Sequence, residues 1–284
     1  MPILGAHTSI AGGYHKAVQR ARALGCDCVQ LFTANSNQWR DRRISREEAG
    51  RFAAALAELQ ITHPIAHDSY LINLASPDKA LWQKSVHAFV AEMRRAQRLG
   101  IPYVVTHPGA SIDNNEAGGI RRIIRALDQV HARTRGLTAE CFLETTAGQG
   151  TSLGWKFEHL AAIIDGVKNP DRLGVCFDAC HVFAAGYPMG MPEEYHRTMQ
   201  RVHAAVGLER IKAFHLNDSR RPLSSRVDRH AHIGRGCMGL EPFRLLLNDP
   251  RFSRIPMYLE TPKGMEDGVE LDTINLRLLR SLIE

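Results

Sequence analysis

The sequence predicts a (β/α)8 barrel that forms a single domain over residues 1–284. Two patterns support this fold class. Short strand-like apolar runs alternate eight times with segments of helical periodicity, and no linker or low-complexity tract divides them. Six of the apolar runs also end on His, Asp or Glu at intervals of 34 to 45 residues, the length of one strand, one helix and their connections. A barrel of this kind needs roughly 250 residues, so the chain is long enough.

Eight parallel strands are predicted, one at the start of each repeat. The first two cover residues 3–9 and 28–34. The other six end at His67, His107, Glu144, Asp178, His215 and Glu260. Because every strand of a closed parallel barrel ends at the same rim, we expect these six side chains to converge there.

Eight helices are predicted between the strands. Ser45 and Glu48 form a capping-box pattern at the start of the second helix, and Gly100 stands where a helix-terminating glycine belongs at the end of the third. The predicted helices cover residues 14–24, 45–59, 79–99, 116–133, 156–164, 193–206, 241–247 and 269–283.

The composition favours an anionic partner. The formal net charge is +6, and 29 arginines stand against 7 lysines. The planar guanidinium group suits phosphate, although genomic codon bias explains the skew equally well. No run approaches the roughly 18 apolar residues of a membrane span, so we expect a soluble cytoplasmic protein without membrane contact. The six cysteines lack zinc-knuckle spacing, and we expect them to be mostly buried, reduced thiols.

Nine candidate metal ligands map to the predicted rim. Two belong to the longest irregular stretch, residues 216–239, which follows a strand end and therefore overhangs the same rim. Nitrogen and oxygen donors together suit zinc or manganese, and about three protein ligands per ion imply two or three ions. The candidates are His67, His107, Glu144, Asp178, His181, His215, Asp228, His230 and Glu260.

Each of these residues alone has a simpler explanation, such as a structural histidine or a salt bridge. Nine on one rim favour a metal centre, because a cation offsets the cost of burying unpaired charge. His7, Asp68 and His232 also lie near the predicted rim, and we expect them to orient ligands.

Five segments resemble the endonuclease IV family, the apurinic/apyrimidinic endonucleases of base-excision repair. The resemblance extends from ILGAHTS near the start of the chain to YLETP near its end. Its most specific parts are the DACH and SRVDRH sequences. The five segments are residues 66–75, 106–109, 143–154, 174–187 and 215–236.

The resemblance implies a trinuclear zinc site, with manganese as an alternative at one position. By family pattern, His67 and His107 bind one zinc, which Glu144 bridges to a second. The second ion is completed by Asp178, His215 and Glu260, and the third is bound by His181, Asp228 and His230.

The resemblance also implies the reaction. A metal-bound hydroxide attacks the phosphate 5′ to an abasic site in double-stranded DNA, leaving a 3′-hydroxyl and a 5′-deoxyribose phosphate. Glu144, which bridges two ions, and Glu260, which orients or deprotonates the nucleophile, are the implied catalytic residues. No obligate protein partner is implied.

Loops of the rim are implied to contact DNA. The implied contacts are Asn35, Asn37, Gln38 and Trp39 after the second strand, Tyr70 and Leu71 after the third, and Arg226 and Arg229 in the long loop. The alternative for Tyr70 and Leu71 is packing under the loop. The alternative for the two arginines is solvated loop charge.

Three positions depart from the family pattern. Asn37 replaces an arginine found in some relatives, residues 224–226 are Ser-Ser-Arg instead of Gly-Ser-Arg, and Arg235 stands where an acidic residue is common. These departures concern DNA affinity and loop geometry, and all nine ligand positions match.

Two other functions remain open from the sequence. A divalent-metal sugar isomerase or epimerase would use one or two ions on the same rim and gives no role to Asp228 and His230. A DNA-binding protein that has lost catalysis is the other, and the intact ligand set argues against it.

Overall fold

A closed barrel of eight parallel strands forms the centre of the molecule. The computed structural model describes residues 1–39 and 42–284. Around the barrel the strands follow the order β1-β10-β7-β6-β5-β4-β3-β2, so the predicted barrel is confirmed. Their bounds are β1 Ile3–His7, β2 Cys28–Phe32, β3 Thr62–His67, β4 Tyr103–Thr106, β5 Glu140–Glu144, β6 Leu173–Asp178, β7 Ile211–His215 and β10 Pro256–Leu259.

Two short antiparallel hairpins lie outside the barrel. The first pairs β8 (Asp218–Ser219) with β9 (His230–Ala231), and it closes the long loop after β7. The second pairs β11 (Met265–Glu266) with β12 (Val269–Glu270). Because residues 269 and 270 pair as a strand, the last helix begins two residues later than predicted.

Helices surround the barrel, and the described residues form nine of them. The Ser45–Glu48 capping box is present, since Ser45 Oγ accepts from Glu48 N at 3.1 Å and Glu48 Oε2 accepts from Ser45 N at 2.9 Å. Gly100 ends α3 with a left-handed φ of 73°. The helices are α1 Tyr14–Leu24, α2 Arg46–Glu58, α3 Lys79–Leu99, α4 Glu116–Arg133, α5 Phe157–Gly166, α6 Ala179–Ala185, α7 Pro192–Val206, α8 Glu241–Leu247 and α9 Leu271–Ser281.

The short helix α6 was not predicted from the sequence. It follows β6 without a connecting loop, so it had no polar segment to mark its start. Its cap is Asp178, the last residue of the strand, whose Oδ1 accepts from His181 N at 2.7 Å. This arrangement turns the His181 side chain toward the rim, one helical turn after Asp178.

Two apolar layers determine where polar side chains can lie. Inside the barrel the core contains Ile65, Val105, Phe142 and Tyr258, among others. A larger layer separates the strands from the surrounding helices. The apolar side chains fill the interior below the carboxyl ends of the strands, so the polar side chains at those ends gather at the rim.

Two expectations from composition concern the state of the cysteines and the presence of membrane-spanning helices. All six cysteines are free, five of them are buried, and Cys237 is exposed. No helix in the described parts of the chain combines the length and apolar character needed to cross a membrane.

Candidate metal centre

The carboxyl ends of the barrel strands carry most of the candidate ligands. His67, Glu144, Asp178 and His215 are the last residues of β3, β5, β6 and β7. His107 and Glu260 come one residue after β4 and β10. His181 belongs to α6, and the loop closed by the β8–β9 hairpin carries Asp228 and His230.

The side chains form three adjacent groups with metal-ligand geometry. In each group one nitrogen or oxygen atom per residue lies within 4.8 Å of the others. Glu144 belongs to two groups and so does Asp178, which makes the groups neighbours. The groups are His67, His107 and Glu144; Glu144, Asp178, His215 and Glu260; and Asp178, His181 and His230.

Glu144 is at the centre of the cluster. Its side chain has no exposed surface, and Oε2 lies 3.0 Å from His67 Nε2 and 3.3 Å from His107 Nε2. Oε1 lies 3.1 Å from His215 Nδ1, and it is also 3.1 Å from His181 Nδ1, the nitrogen that bonds to Thr145 O. A carboxylate with imidazoles on both oxygens has the position of a bridging ligand.

Asp228 contacts the third group from the loop. Its Oδ2 lies 3.2 Å from His181 Nε2, and its Oδ1 lies 3.4 Å from His230 Nε2. The implied ligand set assigned Asp178 to the second ion alone, whereas here Asp178 Oδ2 is also 3.9 Å from His230 Nε2. The structure thus brings all nine predicted side chains together and lets Asp178 join two groups.

Four histidines direct one ring nitrogen into the cluster because the other bonds to an oxygen. The bonded pairs are His67 Nδ1 with Asp68 O at 3.0 Å, His181 Nδ1 with Thr145 O at 2.8 Å, His215 Nε2 with Gln30 Oε1 at 2.8 Å, and His230 Nδ1 with Glu260 O at 3.3 Å. These bonds leave the opposite nitrogen as the acceptor. Metal-binding histidines characteristically make this second bond.

The electrostatics of the cluster fit a bound cation. Burial acts to raise the pKa of Glu144, but His215 and His107 hold it well below its usual range. Burial acts to lower the pKa of His67, yet the hydrogen bond and charge of Glu144 raise it to about 9. His181 Nε2 and His230 Nε2 face each other at 3.4 Å, which requires a proton or a cation beside them. The donor set of imidazoles and carboxylates fits zinc.

Gln30 and Asn217 orient the second group, and neither was predicted from the sequence. Gln30 Nε2 donates to Glu260 Oε1, while Gln30 Oε1 accepts from His215. Asn217 Nδ2 donates to Asp178 Oδ2 at 2.8 Å, and its Oδ1 accepts from Glu260 N at 2.8 Å. The available signal was an amide inside the apolar strand CVQLF.

Two residues after β5 fix the third group. Thr145 Oγ1 accepts from Asp178 N at 2.9 Å, in addition to the bond between its carbonyl and His181. Gln149 Oε1 accepts from Asp228 N at 2.9 Å. The segment after β5 therefore supports the long loop across the rim.

The three residues expected to orient ligands differ in position. Asp68 is buried beside His67 and accepts from Thr106 Oγ1, and burial raises its pKa to about 8. His7 Nδ1 lies 3.8 Å from Glu260 Oε1. His232 instead bonds to Asn275, with 3.1 Å between His232 Nδ1 and Asn275 Nδ2.

Of the predicted DNA contacts after β2 and β3, Tyr70 lies beside the ligand cluster, whereas Asn35, Gln38 and Trp39 line a separate cleft. Tyr70 is 66% exposed, and its ring centroid is 6.3 Å from that of His67. Leu71 is half-buried behind it. After β2, Asn35, Asn37 and Gln38 are exposed, and Trp39 is half-buried.

Arg226 and Arg229 have different surroundings in the long loop. The Arg226 guanidinium lies 3.5 Å from the centroid of the Trp155 ring. Arg229 is exposed, and its Nη1 donates to the carbonyl of Asp228. Arg226 thus packs against an aromatic ring, and Arg229 stands nearer the ligands.

Two departures from the family pattern have structural counterparts. Ser224 has a φ of 64°, in the left-handed region where glycine is favoured, so serine bears a backbone cost there. Arg235 forms two hydrogen bonds with Glu266, the second at 2.8 Å, and so has an acidic partner on β11. Asn37 is exposed, and its backbone N–H donates to Asn35 Oδ1 at 2.9 Å.

Comparison with known proteins identifies the class. The chain matches the family model described as xylose isomerase-like TIM barrel over residues 18–281, and the closed barrel agrees with that description. A protein named probable endonuclease 4 from Geobacter sp. (strain M21) is 51% identical over 284 residues, covering 100% of both chains. Another of that name from Chloroflexus aggregans is 52% identical, covering 100% of this chain and 98% of its own.

A solved structure gives the same result. Endonuclease IV from Thermus thermophilus matches with a TM-score of 0.85 and 37% identity, covering 99% of this chain and 98% of that one. The chain belongs to the endonuclease IV family. A D-tagatose 3-epimerase-like protein shares the fold, with a TM-score of 0.73 and 16% identity over 98% of this chain and 96% of its own.

Proposed function

We propose that the protein is a zinc-dependent apurinic/apyrimidinic endonuclease of base-excision repair. It hydrolyses the phosphodiester 5′ to an abasic site in double-stranded DNA and leaves a 3′-hydroxyl and a 5′-deoxyribose phosphate. One observation carries the proposal: three groups of metal-type ligands lie next to one another at one rim, and Glu144 and Asp178 are each shared by two of them. Membership of the endonuclease IV family supports the same function.

Three zinc ions per chain fit the three groups, with manganese as an alternative at one. Zinc supplies Lewis acidity, which lowers the pKa of water and stabilises negative charge on phosphoryl oxygens. In the first group His67, His107 and Glu144 are the ligands. Glu144 is also shared with the second group, which contains Asp178, His215 and Glu260, and Asp228 joins His181 and His230 at the third.

Glu144 and Glu260 have different roles because their exposure differs. The Glu144 side chain is fully buried, which suits a ligand that bridges ions and never meets solvent. The Glu260 side chain is 18% exposed, so its carboxylate can reach a water molecule at the mouth of the site. The bonds from Gln30 and the nearby His7 orient that carboxylate to accept the proton of the attacking water.

The open side of the cluster is where a phosphate can enter. The side chains of His107 and Asp228 are each 38% exposed, whereas His181 and His215 are almost completely buried. Tyr70 lines the same pocket as His107, where its ring can occupy the space beside an extrahelical sugar. Arg229 supplies positive charge next to Asp228 for the flanking phosphates.

The remaining DNA contacts extend this surface along the rim. Asn35, Asn37, Gln38 and Trp39 would approach the minor groove on one side, and Leu71 would pack beside Tyr70. Arg226 would reach a phosphate from its position on Trp155. We further propose that the protein acts as one domain in the cytoplasm, without an obligate protein partner.

A sugar isomerase or epimerase is less well supported. Such an enzyme needs one or two ions and gives no role to His230, a member of the third group, or to Asp228, which contacts that group. A neutral sugar also gives no reason for the net charge of +6. A DNA-binding protein without catalysis would not need the complete ligand set.

The proposal is tested by incision of an end-labelled duplex with one abasic site, using zinc-loaded protein and mapping both new ends. We expect one cut 5′ to the site and a 3′-hydroxyl. Glu144→Gln should reduce incision at least about a hundredfold and keep the fold by circular dichroism, since it removes the shared charge. Glu140→Gln, the same change at the other end of β5, is the matched control and should retain activity.

Two results would contradict the proposal. Absence of incision by protein that contains its full complement of zinc would exclude the endonuclease function and direct attention to ketose substrates. Near-normal incision by Glu144→Gln would exclude the bridging role of that residue.

A further inference from the structure

A cleft of about 650 Å³ lies on the flank of the barrel, outside the metal centre. It is bounded by residues 34–39 and 42–44, which belong to the connection between β2 and α2, and by one face of α3. None of the nine candidate ligands lines it. Its most prominent lining side chains are Trp39, Arg43, Lys84, Arg94, Arg98 and Arg133.

The cleft is strongly basic. Among the residues that the structure describes, its lining includes seven arginine and lysine residues and a single acidic residue, Glu92. Two of the basic side chains are neutralised, because Arg42 pairs with Glu48 at 2.7 Å and buried Arg95 pairs with Glu92. The other five have no ion-pair partner within residues 1–39 and 42–284. They are Arg43, Lys84, Arg94, Arg98 and Arg133.

The charges are spaced along one stripe of α3. Lys84, Arg94 and Arg98 line the cleft with the small residues Ala88 and Ala91 between them. At 1.5 Å of rise per residue, the distance along the helix from Lys84 to Arg98 is about 21 Å. One strand of duplex DNA carries a phosphate about every 3.4 Å of axis, so the stripe corresponds to about six nucleotides. The alanines leave room for a backbone to approach.

The cleft is continuous with the rim. Ser69 lines both this cleft and the smaller pocket that contains His67 and Tyr70. Ser69 Oγ donates to Ser36 O at 2.6 Å, which joins the loops after β2 and β3. On the same side, Lys84 Nζ lies 4.4 Å from the centroid of the Trp39 ring. A strand leaving the metal centre past Tyr70 therefore meets the first of these positive charges directly.

We propose that this cleft binds the phosphodiester backbone of the DNA that flanks the abasic site. The inference rests on the proposed function, and it adds the basic side chains of α3 and their neighbours to Asn35, Gln38 and Trp39, which line the same cleft. Unpaired cations in a row, spaced over several nucleotides and continuous with the site of cleavage, match a polyanion better than a small anion. The contact increases affinity without touching the reacting phosphate.

The test compares two charge-removing double variants of the zinc-loaded protein. Arg94→Ala with Arg98→Ala removes two exposed charges from the cleft. Arg197→Ala with Arg201→Ala removes two exposed charges at the same spacing from α7, and is the matched control. Binding and incision are measured on a duplex of about 30 base pairs and on one of about 10, each with a central abasic site, over a range of salt concentrations.

We expect the cleft variant to bind the long duplex about tenfold more weakly, with a salt slope smaller by about two. Its kcat should be unchanged, and its affinity for the short duplex should equal that of the unaltered protein. In the control variant, the affinity for the long duplex and the affinity for the short duplex should fall equally and only slightly. Equal weakening by the two variants, or an unchanged affinity of the cleft variant for the long duplex, would overturn the inference. Incision by the unaltered protein tests the proposed function separately.

Discussion

The orientation of single side chains decides whether the rim can bind metal. His215 illustrates this, because its ring has two nitrogens and only one can face the carboxylates. Gln30 accepts from Nε2 at 2.8 Å and thereby leaves Nδ1 toward Glu144 and Glu260. The same amide donates to Glu260, so one residue of β2 orients an imidazole and a carboxylate at once.

Replacing Gln30 with leucine tests this role. The substitution keeps the size of the buried side chain and removes both hydrogen bonds, so we expect zinc affinity to fall about 10- to 100-fold with the barrel still folded. The measurement is competition with a chelator, followed by metal analysis. Gln30→Glu can still accept from His215, so it should recover part of the affinity. An unchanged affinity in the leucine variant would show that His215 is oriented by other contacts.

Among the helices, α4 contains a buried histidine that does not contribute to the metal site. His131 is 2% exposed, and neither ring nitrogen has a hydrogen-bond partner in the described residues. Burial, with the charge of Arg172 adding to it, lowers the pKa of His131 to about 4. The imidazole is therefore neutral in the folded protein at neutral pH.

The lowered pKa makes stability depend on pH in a defined direction. The unfolded chain binds the proton near pH 6.5 and the folded chain only near 4, so unfolding takes up a proton between these values. Stability is complete above pH 6.5 and falls as the pH drops toward 4, by on the order of 1–3 kcal/mol.

His131→Leu should remove this part of the pH dependence. Urea unfolding at about pH 7 and about pH 5 measures the difference, and we expect the leucine variant to lose less stability than the unaltered protein. His87→Leu, at an exposed position of α3, is the control and should behave like the unaltered protein. If both variants lost the same stability on acidification, the effect would come from other groups.

On the scale of the whole molecule, the rim concentrates charge that a cation would balance. Glu144, Asp178 and Glu260 share one group with a single histidine. Burial acts to raise the pKa of Glu260, whereas His215 keeps it well below its usual range. A bound metal that interacts only with the folded chain stabilises it by mass action.

Chelation should therefore lower the melting temperature. A ligand at about 100 times its dissociation constant contributes about 2.7 kcal/mol, which corresponds to a shift of about 5–10 °C for a chain of this size. Scanning calorimetry before and after treatment with a chelator gives the shift. Added zinc should restore the original value, whereas magnesium should not, because magnesium prefers oxygen ligands. Equal melting temperatures would show that metal contributes little to stability.

The sequence predicted the barrel and the candidate ligands because both depend on local order. The local sequence alone decides that a strand ends on His67 or Glu144, independently of the strands that pair with it. The closed barrel then brings these strand ends together. The contacts that the sequence did not predict join distant segments. Gln30 reaches Glu260 across 230 positions, and no pattern around Gln30 indicates that contact.

The same distinction explains the other differences. Helix α6 has no loop before it, so nothing local separates it from β6. Arg226 was expected to face a phosphate, and its packing on Trp155 depends on how the long loop folds over the segment after β5. The basic cleft also joins three repeats, and its charges are ordinary on each helix taken alone.

The closure of the barrel has a consequence for the order in which the protein is made. Strand β1 pairs with β10, so during synthesis β1 lacks its second neighbour until the ribosome has reached residues 256–259. Until residues 256–260 emerge, β1 and β7 are open edges, which nascent chains expose at the risk of aggregation. Glu260 is also the last ligand to be synthesised. A polypeptide that stops before residue 256 therefore lacks both the seam of the barrel and the carboxylate that completes the second group.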